Sequence, residues 1–391
     1  MVSEVNESGN LMTLRMIPKW LSASRGKSRV SGRFLCLGWL IGLALVSGRG
    51  AAPELIDDRT ITIQNAGDLE AKRRQLIDYV WGTDGFPSLR FPTTVLTNIP
   101  SPVQHLTHLR RVDEFRFSMA PGLQGLAYHF IAAKPNRQLV VVHHGHSCTF
   151  DDDAGPSETG YGLQRTIHGL LREGYGVLGV FMPHMRPGDC TGGHDTLFVQ
   201  PNQPSRGSAI KYFLEPTALS LNYLQTQSSA GSFPKYRRFH MTGLSGGGWT
   251  TTVYAALDAR IECSVPVAGT IPLYLRSGGS VGDLEQYESG FYRLAGYPDL
   301  YVMGSSGKRR RQIQILVRRD DCCFGERQHD VSTVGEPYET AMKGYEVRVQ
   351  SRLQQLGSGS FRLVIDRVAP SHMISHHAIS TVLIPALRAA H

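Results

Sequence analysis

From about residue 112 onward, short β-branched apolar runs alternate with longer segments of helical periodicity. The runs predict strands at 112–119, 126–132, 138–143, 176–182, 237–241, 261–267, 312–317 and 361–365. The intervening periodicity predicts helices at 162–173, 209–225, 249–259, 339–356 and 374–390. Strands that are apolar throughout and separated by helices imply a mostly parallel sheet of about eight strands with helices on both faces. Residues 60–111 are irregular and proline-punctuated, with one helix at 66–80, and residues 183–208 form a long loop rich in Gly, Pro, Asp and His. The expected layout is a leader at 1–50, an extension at 51–111 that wraps the core, and one main domain at 112–391. No internal repeat or low-complexity tract divides that domain.

The first 50 residues change how the charge is read. Arg15, Lys19, Arg25, Lys27, Arg29 and Arg33 precede an uncharged run at 34–48, followed by Gly50, Ala51 and Ala52. This order of basic, apolar and small residues predicts an export signal, or an uncleaved N-terminal membrane anchor through 34–48. The expected location is periplasmic or extracellular. The whole chain carries a formal charge of +8, but the leader holds seven Lys/Arg against two acidic residues, leaving about +3 elsewhere. That balance gives no reason to expect a nucleic-acid partner. The basic run Lys308-Arg309-Arg310-Arg311 reads as a solvated loop before a strand. Of six cysteines, none has zinc-ligand spacing, and Cys263 falls in an apolar strand where burial is expected.

The chemistry centres on Gly243-Leu244-Ser245-Gly246-Gly247, a G-x-S-x-G at a strand-to-helix junction. Glycines two positions either side of a serine relieve a sharp turn that lifts the hydroxyl out of the strand. A serine hydroxyl needs a base, usually a histidine oriented by a carboxylate. Strand 312–317 runs through two arginines into Asp320 and Asp321, and strand 361–365 is followed by a short loop and His372. His376 and His377 lie inside the last helix and read as structural.

Over 112–391 these features resemble the α/β-hydrolase fold, in its serine esterase and peptidase-like group. The resemblance implies nucleophile, acid and histidine in that chain order, hence Ser245, Asp320 and His372, with Asp320 favoured over Asp321 by the family's acid-loop pattern. It also implies an oxyanion hole from the backbone N–H groups of Gly246 and His146, although His144-Gly145-His146 departs from the HGGG of many lipases. Because the third and fourth strands are neighbours in this fold, it suggests a disulfide on that face such as Cys148–Cys190. The implied activity is hydrolysis of a carboxylic ester, small or polysaccharide-linked, with no cofactor and no metal. The alternatives are a serine peptidase or amidase on the same fold, a metal-dependent hydrolase, and an inactive binding protein. The metal reading draws on His144, His146, Asp151-Asp152-Asp153, His184, His194, His372 and His376, but HxHxDH fails after His146 and HExxH is absent.

Overall fold

The computed structural model describes residues 55–389, apart from 121, 151–159, 200–201, 203–204, 230–232 and 277–280. The expected leader, its 34–48 segment and the Asp151-Asp152-Asp153 run lie outside the described residues. Eleven strands are present among those described: β1 (Thr94–Ile99), β2 (Leu109–Ala120), β3 (Leu123–Ala132), β4 (Gln138–His143), β5 (Gly176–Val180), β6 (Met185–Arg186), β7 (Asp189–Cys190), β8 (Arg238–Leu244), β9 (Ile261–Val267), β10 (Arg311–Val317) and β11 (Ser360–Asp366). Nine make one sheet in the order β1-β2-β3-β5-β4-β8-β9-β10-β11, while β6 and β7 pair separately. From β5 to β11 every neighbouring pair is parallel, and β1, β2 and β3 add an antiparallel edge. The sheet is therefore mixed and mostly parallel, as the alternating pattern predicts.

The helices are α1 (Ala66–Trp81), α2 (Leu163–Arg172), α3 (Lys211–Ser229), α4 (Gly246–Leu257), α5 (Ser289–Leu294), α6 (Tyr297–Ser305), α7 (Val331–Val334), α8 (Tyr338–Leu356), α9 (His376–Ala378) and α10 (Ile384–Arg388). A π-helical turn, Ile379–Leu383, joins the last two. The period of two along β4 sorts its side chains between two cores: Leu139 and Val141 join one, Val140 and Val142 the other. Helices α1, α3, α4, α6 and α8 cover the first face, and α2 with the C-terminal helix covers the second. Every residue of α4 is buried, so this helix runs through the protein rather than over it.

Three expectations are corrected. β1 lies within the stretch read as irregular, because its residues are exposed or half-exposed and give no apolar signal. The strand before Ser245 extends to Leu244 and its helix starts at Gly246, not Trp249. The glycines that argue against a helix are required there by close packing: a Cβ on Gly248 would stand 2.5 Å from Val267 O. Finally, Arg310 is not a solvated loop residue. It is buried, and its guanidinium donates to the carbonyls of Ile261, Met303 and Ala255.

Two buried carboxylates hold the segment before α1 against α6. Asp58 accepts the N–H groups of Tyr274 and Tyr297, at 3.1 and 3.0 Å. Asp299, in the first turn of α6, accepts Thr62 N, Thr62 Oγ1 and Ile63 N at 2.8, 2.6 and 3.2 Å, with Lys72 Nζ at 3.7 Å. Removing such an acceptor orphans buried donors and a cation. Asp299→Ala is therefore expected to lower the unfolding free energy by about 2–4 kcal/mol, read as a lower urea midpoint at unchanged slope.

Candidate active site

The carboxyl ends of the parallel strands converge on one edge of the sheet, where α/β proteins place their ligands. Here β4 is followed by His144-Gly145-His146, β8 by Ser245, β10, after two intervening residues, by Asp320, and β11 by the loop that carries His372.

Ser245 occupies the sharp turn between β8 and α4 with φ 59° and ψ −127°, outside the comfortable range of an L residue. Such a conformation costs about 1–3 kcal/mol and survives only where the surroundings over-determine it. Two hydrogen bonds fix it: Ser245 N donates to Val267 O, and Trp249 N donates to Ser245 O, both at 3.0 Å. The turn is also too tight for side chains. A Cβ on Gly145 would lie 2.5 Å from Leu244 O and 2.9 Å from Ser245 Cβ. A Cβ on Gly243 would lie 2.5 Å from Gly247 O. The turn after β4 therefore rests directly on the elbow.

As the first residue of α4, Gly246 has no intrahelical acceptor for its N–H, and the positive end of the helix dipole lies at Ser245. A Cβ there would meet Met182 Sδ at 2.5 Å and His146 Cε1 at 3.1 Å. Gly246, Met182 and His146 thus share one wall beside the serine.

Asp320 is fully buried. Its Oδ1 accepts the N–H groups of Cys322 and Cys323, each at 2.8 Å, and its Oδ2 accepts His372 Nδ1 at 2.7 Å. Asp321 is exposed. Between the two aspartates left open by the sequence, the structure brings Asp320 to the histidine. Burial disfavours the imidazolium of His372, but the hydrogen bond and charge of Asp320, helped by Cys322 and Asp321, outweigh it and raise the His372 pKa. The loop that presents His372 is itself pinned: Asp366 accepts Val368 N at 2.8 Å, Ala369 N at 3.1 Å and Ser375 Oγ at 2.5 Å. His376 and His377 stay exposed on the helix beyond.

No hydrogen bond joins Ser245 to His372 among the described residues. Ser245 Oγ instead lies 3.8 Å from Cys323 Sγ, which is 2.9 Å from Cys322 Sγ. Contact with Cys323 and the charge of His372 hold the Cys322 thiol down, at about 7. Nothing in the spacing of the sequence puts either cysteine against the serine.

Two long loops border the site. Cys148, just after β4, is bonded to Cys190 in the 183–208 loop, the pairing that the family resemblance suggested. Closing a loop of that length stabilises by about 4 kcal/mol on the chain-entropy account. His146 Nε2 lies 3.2 Å from Asp283 Oδ2, and its ring is 5.0 Å from that of His194. Asp283 and the fully buried Glu285 were not singled out from the sequence, since 281–286 shows no periodicity.

No protein-family model matches the chain, and no curated protein matches it in sequence. Solved structures do. A glucuronoyl esterase from Teredinibacter turnerae aligns at TM-score 0.52 and 14% identity, over 83% of this chain and 85% of that one. An acylaminoacyl peptidase from Pyrococcus horikoshii aligns at TM-score 0.44 and 15% identity, over 71% of this chain and 39% of the peptidase. A methylesterase aligns at TM-score 0.47 and 16% identity, over 81% of this chain and 61% of its own. This chain therefore spans less than two thirds of the length of those last two proteins. At such identities the likeness speaks to architecture alone. Strand order, elbow and the first of these alignments lead to one conclusion: the chain has the α/β-hydrolase fold.

Proposed function

We propose that the protein is a serine hydrolase of carboxylic esters, with Ser245 as nucleophile, His372 as general base and Asp320 as its orienting acid. The observation that carries this reading is the buried 2.7 Å contact between His372 Nδ1 and Asp320 Oδ2, beside a serine held at positive φ. The aspartate accepts a hydrogen bond from Nδ1–H, which fixes the tautomer and leaves Nε2 free to accept a proton. Ser245 turns from Cys323 toward Nε2 as substrate binds, since catalytic hydrogen bonds often close only in the complex. The hydroxyl attacks the carbonyl and its proton passes to His372. The N–H groups of Gly246 and His146 receive the oxyanion, with the α4 dipole adding to them. His372 then protonates the departing alcohol, and in the second half-reaction draws a proton from water, which releases the acid from Ser245.

Ester rather than peptide cleavage is favoured because the neighbour of TM-score above one half is named for an ester. A peptidase on the same fold remains the second reading. The leader pattern at 1–50 supports export and, with it, a small or polysaccharide-linked ester outside the cytoplasm. Among the described residues no helix is long and apolar enough to cross a membrane.

Ser245→Ala is expected to lower turnover of short p-nitrophenyl esters by about 10⁵–10⁶-fold and to abolish fluorophosphonate labelling, with the circular dichroism spectrum unchanged. Retained hydrolysis, or no labelling of the folded wild type, overturns the assignment. Amide turnover exceeding that of the matched ester selects the peptidase reading.

The pH profile follows from His372. The base must be neutral, and its pKa is raised, so kcat/KM should fall with decreasing pH through a point above the usual imidazole value of about 6.5. Asp320→Asn removes the interaction that raises it. The acid limb should then move to lower pH while the plateau drops about 10⁴-fold. Asp321→Asn should change neither by more than a few-fold; the reverse ranking would transfer the role to Asp321.

A further inference from the structure

Beside the elbow, four side chains from three separate segments point at one another. His146 follows β4, His194 comes from the 3₁₀ turn Gly193–Phe198, Asp283 precedes the 3₁₀ turn Leu284–Gln286, and Glu285 lies within it. One ligand-type atom from each falls within 4.8 Å of all the others. His146 Nε2 is 3.2 Å from Asp283 Oδ2, and His194 Nε2 is 3.6 Å from Glu285 Oε2.

The two buried members are not satisfied by the protein. Glu285 is 0% exposed and His194 4%. Among the described residues, both carboxylate oxygens of Glu285 and both ring nitrogens of His194 lack a hydrogen-bond partner. A buried carboxylate without donors is among the most costly arrangements in a protein. Protonating Glu285 would remove its charge but leave its second oxygen and the histidine nitrogens unpaired. The nearby Arg276 does not answer the need, because its guanidinium donates to the main-chain carbonyls of Ile271, Val281 and Gln286.

We infer that His146, His194, Asp283 and Glu285 form a binding site for a divalent transition-metal ion, Zn²⁺ being the best fit. Two neutral imidazoles and two carboxylates supply four ligands and two negative charges, which a divalent ion balances. Imidazole selects zinc and its neighbours over calcium and magnesium. Tetrahedral zinc with bonds of about 2.0–2.1 Å needs ligand atoms roughly 3.3–3.4 Å apart. The two short edges, 3.2 and 3.6 Å, already bracket that value. The wider pairs, all within 4.8 Å, must close by up to about 1.4 Å as the ion binds.

The backbone under the site is fixed. Tyr292 OH donates to Glu285 O at 3.2 Å, and Tyr297 OH donates to Gln286 O at 2.8 Å. Trp249 Nε1, in the first turn of α4, donates to Tyr292 OH at 2.7 Å. Four protein ligands make a closed, structural site rather than one that offers a coordination position to substrate. Its role is to clamp the turn carrying His146 to the 183–208 loop and to 281–286. The Cys148–Cys190 disulfide joins the first two of these independently. This inference concerns metal binding and does not depend on the hydrolytic reading.

The test uses the full chain, stripped with chelator and titrated with Zn²⁺ or Co²⁺. One equivalent of Zn²⁺ should bind and raise Tm. Co²⁺ should give the intense visible d–d bands of a tetrahedral nitrogen–oxygen site, without thiolate charge transfer. Glu285→Gln, which keeps size and shape, and His194→Ala should each weaken Zn²⁺ binding by about 100-fold or more and erase the Co²⁺ bands. Ser245→Ala should retain both, which separates this result from the failure of the hydrolase assignment. A second cluster, Cys322, Cys323 and His372, could also hold a soft ion. The inference is overturned if the wild-type chain takes up no stoichiometric metal. It is equally overturned if uptake survives Glu285→Gln and His194→Ala, or disappears in the Cys322→Ser/Cys323→Ser double variant.

Discussion

The site depends on a lack of space. Where β4 and β8 end side by side, the main chains approach so closely that side chains at Gly145, Gly243 and Gly247 would overlap the neighbouring backbone. With glycine at those positions, Ser245 can take its left-handed conformation and leave the strand abruptly. The buried α4 starts at once, so its unpaired N–H groups and its dipole meet the hydroxyl at the sheet edge. Relaxing this packing would move Ser245, the N–H groups beside it and the helix together.

The remaining groups reach the same edge by a repeated local device. At the end of β10, Asp320 accepts the N–H groups two and three residues ahead, which fixes the turn and leaves one oxygen for His372. At the end of neighbouring β11, Asp366 does the same for Val368 and Ala369 and uses its second oxygen for Ser375. Both are Asx-type turns whose aspartate carries a long-range or loop-closing bond as well. The first anchors the acid and the second the loop carrying the histidine, so their meeting is set by adjacent parallel strands rather than by flexible chain.

Much of this was legible in the sequence because it is encoded locally. The parallel strands are continuous apolar runs, and Ser245, Asp320 and His372 stand at fixed offsets from three of them. β1 was not legible, since an exposed edge strand pairs through its backbone and needs no apolar pattern. The start of α4 was misread because propensity counts glycine against a helix, while packing against Val267 O demands it at 248. Arg310 reads as one member of a basic run, and only tertiary carbonyls make it a core residue. Asp283 and Glu285 lie in a segment without periodicity, about 90–140 residues from the histidines they face, a separation no local spacing rule spans.

Two buried histidine–carboxylate pairs lie near the elbow, and their difference is chemical. Asp320 has three donors and hands a fixed tautomer to His372, so its charge is met within the protein. Glu285 and His194 meet at 3.6 Å, and among the described residues neither side chain has a hydrogen-bond partner. A satisfied pair suits proton transfer, because the imidazole gains and loses its proton beside a carboxylate that stays charged. An unsatisfied pair suits no proton step, since either protonation state leaves buried lone pairs without partners. It suits a cation, which needs acceptors not already committed to donors. The surroundings of each pair, more than its residue types, therefore decide whether it handles a proton or a metal ion.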